Sequence, residues 1–317
     1  METIKTLQEA IIYFSDRDNC IKYLSAKRWK NGVVICPNCG SKEVRFLSTR
    51  RIWECKSKHP KRQFSIKVGT IYEDSALGLD KWLTATWMVV NCKNGVSSYE
   101  IARNLGVTQK SAWFMLHRIR LSMQDDSSTK LSGQVEVDET FIGGKARNMH
   151  RAVRARRITG TGGVGKVVVM GMLERGGKVK AMVVEDRNRG TLQSGVIRNI
   201  AAAAEIYTDE LASYSGLEET YQHQVVNHAE EYVRGKVHTN GLENFWSLLK
   251  RGLNGTYIKA EPFHLFRYID EQAFRYNYRA TKENPLKDID RFNVVLSKAP
   301  GRRLTYRQVT GKTEGAD

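Results

Sequence analysis

The 317-residue sequence predicts an α/β protein of two or three domains, on three observations. Residues 133 to 280 alternate strand-period and helix-period segments, and residues 79 to 124 keep a helical apolar period. A turn-rich stretch with paired cysteines, residues 31 to 72, precedes both. The composition agrees: 41% hydrophobic and 27% charged residues belong to folded domains and exclude wholesale disorder. Fifty-one basic against thirty-four acidic side chains leave a formal charge of +17, so an anionic polymer is the expected partner. The longest apolar runs, such as Lys166 to Leu173, fall far short of the roughly 18 residues that span a bilayer, and Met1-Glu-Thr-Ile-Lys5 is no secretory leader. The expected location is the cytoplasm, where sparse cysteines stay reduced.

Residues 1–30 are expected to form a helical lead-in, with apolar Leu7, Ile11, Ile12, Phe14, Ile21 and Leu24. The next stretch carries Cys36-Pro-Asn-Cys39, then Cys55 and His59, a C-x2-C and a C-x3-H separated by fifteen residues. Two such knuckles can close on one tetrahedral Zn²⁺ in a zinc ribbon, and four protein ligands leave no open position, so the ion is structural. It replaces a core that some forty residues cannot build. The bland alternative is four unrelated polar residues. Cys20 and Cys92 lie in helical patterns and are expected to be buried as small hydrophobes.

Breaks at Asn94-Gly95 and Leu105-Gly106 divide residues 79–124 into three helices. The last two have the cues of a helix-turn-helix, in which Ile101, Ala102 and Leu105 pack on Ala112, Met115, Leu116 and Ile119. That leaves Gln109, Lys110, Trp113, His117 and Arg120 toward solvent or a DNA groove. An ordinary helix pair with a basic face has the same pattern; the charge and the adjacent ribbon favour DNA.

From Gly133 strands are expected at Gln134 to Ile142, Lys166 to Leu173 and Val179 to Val184. A helix follows from about Leu192 to Ala204, then the short strand Ile206 to Thr208 and possible pairing at Gln224 to Val226. Helices over Asn240 to Leu253 and Pro262 to Tyr278 close the domain, residues 133–280, in the order of an RNase H-like fold. Strand alternation sets Glu136 and Asp138 opposite Val135 and Val137, while Asp209 falls at a strand's carboxyl end, where α/β sheets place ligands. At 100° per residue Asn240, Glu243, Ser247 and Lys250 share an arc of roughly 80°, with Leu242, Phe245, Leu249 and Leu253 opposite. Two aspartates and a glutamate so carried can hold two divalent cations, Mg²⁺ or Mn²⁺, for phosphodiester chemistry. The alternative is an amphipathic helix with a merely solvated polar face.

Residues 145 to 157 hold six basic side chains in thirteen, Arg151, Arg154, Arg156 and Arg157 among them, and are either a solvated loop or a DNA-backbone contact. Gly162-Gly-Val-Gly165 precedes a strand rather than opening a helix, so it is not a nucleotide-binding loop. Residues 281–317 form a C-terminal extension, expected to be mobile from Ala299.

The motifs resemble those of bacterial insertion-sequence transposases of the DDE type, in the ISXO-like group with an N-terminal zinc ribbon. The resemblance rests on Cys36 to Cys39 leading to Gln63 to Tyr72, Val137-Asp-Glu-Thr-Phe-Ile-Gly-Gly-Lys145, Thr208-Asp-Glu210, and His238 to Arg251. It implies that Asp138, Asp209 and Glu243 are the acidic triad and Lys250 the basic residue seven positions on, with Asn240 a rival or accessory to Glu243. The Cys55 to His59 half departs from the group's commoner second cysteine pair. The resemblance further implies cleavage of double-stranded DNA at element ends to give 3′-hydroxyls, then strand transfer into target DNA. Paired ends imply a homodimer or larger assembly. A structure-specific nuclease and a DNA-binding regulator with an inert catalytic domain are the alternatives.

Overall fold

Thr6 opens the first helix with a reciprocal cap: its hydroxyl accepts from the Glu9 amide at 3.2 Å, and the Glu9 carboxylate accepts from the Thr6 amide at 3.3 Å. This helix, α1 (Leu7–Ser15), is followed at once by α2 (Arg17–Arg28), because Asp16 caps a second start by accepting from the Asp18 amide. The lead-in is thus two helices. They bury Phe14, Ile21 and Leu24, whereas Leu7, Ile11 and Ile12 stay exposed. The computed structural model describes residues 4–144, 149–158, 165–209, 211–226, 239–258 and 260–311. The chain divides into two units, Met1–Gln124 with Tyr278–Asp317, and Asp125–Asn277.

The first unit continues with a small antiparallel sheet, β1 (Val44–Leu47), β2 (Ile52–Cys55) and β3 (Gln63–Phe64). Helix α3 (Leu79–Asn91) buries Trp82, Leu83, Trp87, Val89 and Val90. A cap on Ser97 starts α4 (Ser98–Leu105), which ends at Gly106 in the left-handed conformation, φ +58°. Glycine is favoured there because a Cβ would crowd the carbonyl. After three turn residues α5 (Gln109–Met123) begins at the Thr108 cap. Cys20 is buried as expected, but Cys92 is exposed at the end of α3, where the chain leaves the helix.

The second unit is built on five strands: β4 (Gln134–Ile142), β5 (Val167–Glu174), β6 (Val179–Val184), β7 (Glu205–Asp209) and β8 (Gln222–Val226). Their order is β6-β5-β4-β7-β8, with β5 antiparallel to both its neighbours and β4, β7 and β8 parallel. Helix α6 (Arg151–Arg157) lies between β4 and β5, in the basic stretch read as a loop. Helix α7 (Arg189–Asn199) covers one face through Leu192 and Val196, which join Val135, Val137, Met170, Met172 and Ile206 in a core. It stops short of Ala204 because Ile200 turns away to bridge Leu131. The other face is covered by α8 (Asn240–Gly252) and α9 (Leu265–Asn277), with Leu242, Phe245, Trp246, Leu249 and Ile269 against Val169 and Leu173. Asn277 fixes the end of α9 on β6, its amide oxygen accepting from the Val179 N–H at 2.7 Å and its NH₂ donating to the Val179 carbonyl at 2.9 Å.

The chain then returns to the first unit. Helix α10 (Asp288–Ser297) places the buried Phe292 ring 5.2, 5.7 and 6.1 Å from the rings of Trp87, Phe14 and Tyr23. Residues 299–311, expected to be mobile, are packed: Ala299 is buried, Gly301 donates to the Gly69 carbonyl, and α11 (Tyr306–Thr310) sets Tyr306 against Phe114 of α5. Phe292→Ala is expected to destabilise this unit by about 3–5 kcal/mol, since it opens a cavity between three helices. Urea unfolding followed by tryptophan fluorescence checks this, and an unshifted midpoint would remove α10 from the core.

Candidate functional site

In the ribbon, Gly40 at φ +75° folds the first knuckle back so that its amide donates to the Cys36 carbonyl at 2.9 Å. Cys55 closes the second at the end of β2. Cys36 Sγ lies 3.6 Å from His59 Nε2, and Cys39 Sγ lies 3.6 Å from Cys55 Sγ. All four ligand atoms fall within 4.8 Å of one another. Bonds of about 2.0–2.3 Å to a tetrahedral ion put neighbouring ligand atoms roughly 3.3–3.8 Å apart, so the set fits Zn²⁺. His59 Nδ1 sits 2.6 Å from the Pro60 carbonyl, and donation there leaves Nε2 free to ligate. Burial pushes the Cys55 thiol up, but hydrogen bonds from His59, the Ser57 amide and Cys39 outweigh it and bring it down to about 6, toward the thiolate a metal takes.

The carboxylates gather on the second unit's central strands. In the parallel register Glu136 faces Tyr207, so continuing it sets Asp138 of β4 beside Asp209 at the end of β7. Asp138 accepts from its neighbour's amide, Glu139 N, at 2.8 Å and from the Trp246 indole N–H at 2.9 Å. Its carboxyl is pushed up to about 6, by burial first and then by the charges of Asp209 and Glu243, against the pull of those two donors. Glu139 rises further, to about 8, through burial and the charges of Asp209 and Asp138, with Arg187 opposing. Asp209 Oδ1 accepts from the Leu211 amide at 3.2 Å.

Helix α8 presents Asn240, Glu243, Ser247 and Lys250 on its exposed face and buries Leu242, Phe245, Leu249 and Leu253. Among the described residues only the Cys₃His set has three or more such ligand atoms within 4.8 Å, so Asp138, Asp209 and Glu243 do not close on a single point. Two ions roughly 3.5–4 Å apart need a wider cradle than one, and a group of carboxylates gathered around Asp138 is a donor set suited to hard divalent cations. Glu139 and Trp246 are site residues that sequence reasoning missed. The signal for the first was the second acid in Val137-Asp-Glu139; for the second there was none beyond its place on α8.

The expected DNA-reading face of α5 needs correction. Gln109 is half-buried and donates to the Ser98 hydroxyl, Lys110 is exposed with its ammonium 4.8 Å from the centre of the Tyr306 ring, and Trp113 is half-buried. His117 and Arg120 are 0% and 1% exposed, so neither faces solvent. The reason is that α5 packs against α3, α4, α10 and α11, which leaves its second half enclosed on every side. In the basic stretch Arg151, Arg154 and Arg156 are exposed on α6, while the Arg157 side chain, residues 145–148 and residues 159–164 lie outside the described residues. So do Glu210 and His238 of the two other motifs. No helix among the described residues is long and apolar enough to cross a membrane.

Comparison with known proteins gives these sites a context. Residues 130–277 match the ISXO2-like transposase domain, and residues 15–57 match the transposase zinc-ribbon domain. A relative from Halobacterium salinarum, described as an uncharacterized protein in transposable element ISH50, is 28% identical over 242 residues, 73% of this chain and 81% of that protein.

Proposed function

We propose that this chain is a transposase of the ISXO2-like kind, carrying that domain behind a transposase zinc ribbon, and that it cleaves DNA at element ends and joins the 3′-hydroxyls to target DNA. The observation that carries this is the parallel register that sets Asp138 beside Asp209, with the charges of Asp209 and Glu243 both acting on the Asp138 carboxyl. The sheet order, with β5 alone antiparallel to a parallel set of β6, β4, β7 and β8, supports an RNase H-like catalytic unit.

In this reading Asp138, Asp209 and Glu243 hold Mg²⁺ or Mn²⁺, and Asn240, one turn before Glu243, is the accessory. Divalent ions held by these residues would lower the pKa of an attacking water or 3′-hydroxyl and would stabilise the leaving oxygen. In the same reading Lys250, two turns beyond Glu243 on the same exposed face, meets a phosphate. Helices α4 and α5, joined by a three-residue turn, act as a helix-turn-helix that offers Gln109, Lys110 and Trp113 to duplex DNA, and Arg151, Arg154 and Arg156 of α6 contact its backbone. A homodimer or larger assembly pairs the two element ends.

The test is incubation of the purified protein with DNA spanning its own gene and flanks, with Mg²⁺ or Mn²⁺, mapping new 3′-hydroxyl ends. Discrete nicks at two inverted sites, followed by joining and lost in Asp138→Asn, are expected. Glu243→Gln and Asn240→Ala then decide the third ligand. Nicks that never join would make the protein a nuclease, and binding without nicks would make it a regulator.

A further inference from the structure

Two side chains of β4, on the same face and two residues apart, each grip α8. Glu136 accepts from the Leu242 amide in the first turn of the helix at 3.0 Å and pairs with Arg175 at 3.1 Å. Asp138 takes the Trp246 indole N–H. Two strand residues advance about 6.6 Å and four helix residues about 6 Å, so the two grips are spaced alike and hold α8 in register along β4. Glu243 lies between them in sequence.

Both grips depend on a missing Cβ. Gly171 is the partner of Asp138 on β5, and a Cβ there would come 2.5 Å from Trp246 Cζ2 and 2.7 Å from Cη2. The indole therefore lies directly on bare backbone, which brings its N–H to the carboxylate. At Gly241 a Cβ would sit 2.4 Å from Leu173 Cδ2 and 2.8 Å from Glu136 Oε2. With Trp246 on one oxygen and the Glu139 amide on the other, the Asp138 carboxylate is held from two directions. A carboxylate oxygen can accept twice, so each keeps a lone pair for a cation.

We propose that Trp246 is a positioning residue: its indole N–H, seated over Gly171, orients the Asp138 carboxylate for the divalent cation and fixes the reach of Glu243 from the same helix. The proposal rests on the metal reading above. Its test is Mn²⁺ binding to the full-length chain, measured as free Mn²⁺ by electron paramagnetic resonance, with Asp138→Asn as the reference for a lost site. Trp246→Phe is expected to weaken Mn²⁺ binding about 10- to 100-fold, the range for loss of a partner that orients a ligand. A benzothiophene analogue of tryptophan at 246, which keeps the ring and lacks the N–H, should do the same without lowering the melting temperature. Gly171→Ala, which lifts the ring away, should match it by an independent route. Wild-type affinity in the benzothiophene variant overturns the positioning role alone. A wild-type chain that holds no more Mn²⁺ than Asp138→Asn overturns the metal reading and the positioning role together.

Discussion

Cys55→Ala is expected to strip zinc from the protein and unfold the ribbon, with zinc content falling from one ion per chain to near zero. The sheet it belongs to has strands of only four, four and two residues. Its apolar content is a cluster around Trp53, whose ring lies 5.1 Å from Phe46, 5.2 Å from Trp29 and 6.1 Å from Phe64. Such a cluster cannot offset the chain entropy of forty residues, whereas structural zinc contributes apparent binding energies of about 10–16 kcal/mol in small peptides. Metal analysis and tryptic cleavage at Lys56, Lys58 and Lys61 check the result, and chelation should reproduce it. His59→Ala removes one ligand of four and is expected to weaken zinc binding while leaving the thiolates in place. A Cys55→Ala protein that keeps its zinc and its protease resistance would show that the cluster is not the metal site.

Asp209→Asn is expected to make the metal-free protein more stable and the enzyme inactive. Asp209 contributes to the raised values of both Asp138 and Glu139, so removing its charge relieves both. The substitution keeps an oxygen for the Leu211 amide, so no hydrogen bond need be lost. The folded carboxyls sit at about 6 and about 8, above their ordinary 3.8 and 4.5. Groups raised in this way support the fold fully at low pH, below about 4, and lose that support as pH climbs through the folded values. Without metal, the second unit should therefore weaken between pH 4 and pH 8, and Mg²⁺ should restore it more at pH 8 than at pH 5. At pH 8 Asp209→Asn should gain on the order of 1–3 kcal/mol and lose the response to Mg²⁺. Strand cleavage should fall by at least about 10²-fold. Thermal melts at two pH values with and without Mg²⁺ measure the first effect. A melting temperature that drops in Asp209→Asn at pH 8 would refute the crowding of charge at this site.

The legible parts of this protein are those whose physics is local. The exposed face of α8 can be read because 100° per residue separates Asn240, Glu243, Ser247 and Lys250 from Leu242, Phe245 and Leu249 without reference to any other segment. Strands β4 and β6 keep their expected bounds, since alternation and the Glu174 to Gly177 turn are written in adjacent residues. The ribbon ligands follow from spacing alone. What escapes is set by partners far away in the chain. His117 and Arg120 look solvent-facing on an isolated helix, but α10 and α11, more than 160 residues on, come back to pack on α5. Lys298 donates to the Gln124 carbonyl at 3.2 Å, and Arg302 reaches the Leu121 carbonyl, in the same return. Trp246 looks like one more core aromatic until Gly171 is found opposite Asp138, a pairing that needs the sheet register.

The return of α10 also sets a timetable for synthesis. A ribosome completes α1, α2 and α3 roughly 200 residues before Phe292, a delay on the order of 10–40 s at bacterial elongation rates. Through that interval the rings of Phe14, Tyr23 and Trp87 await the side chain they pack against. Residues 125–277 can meanwhile fold from contiguous chain, so the segment translated first is the last to close. A nascent chain from which residues 125–277 have emerged but α10 has not would carry a finished sheet and an open aromatic cluster, an exposed surface of the kind that chaperones and proteases recognise.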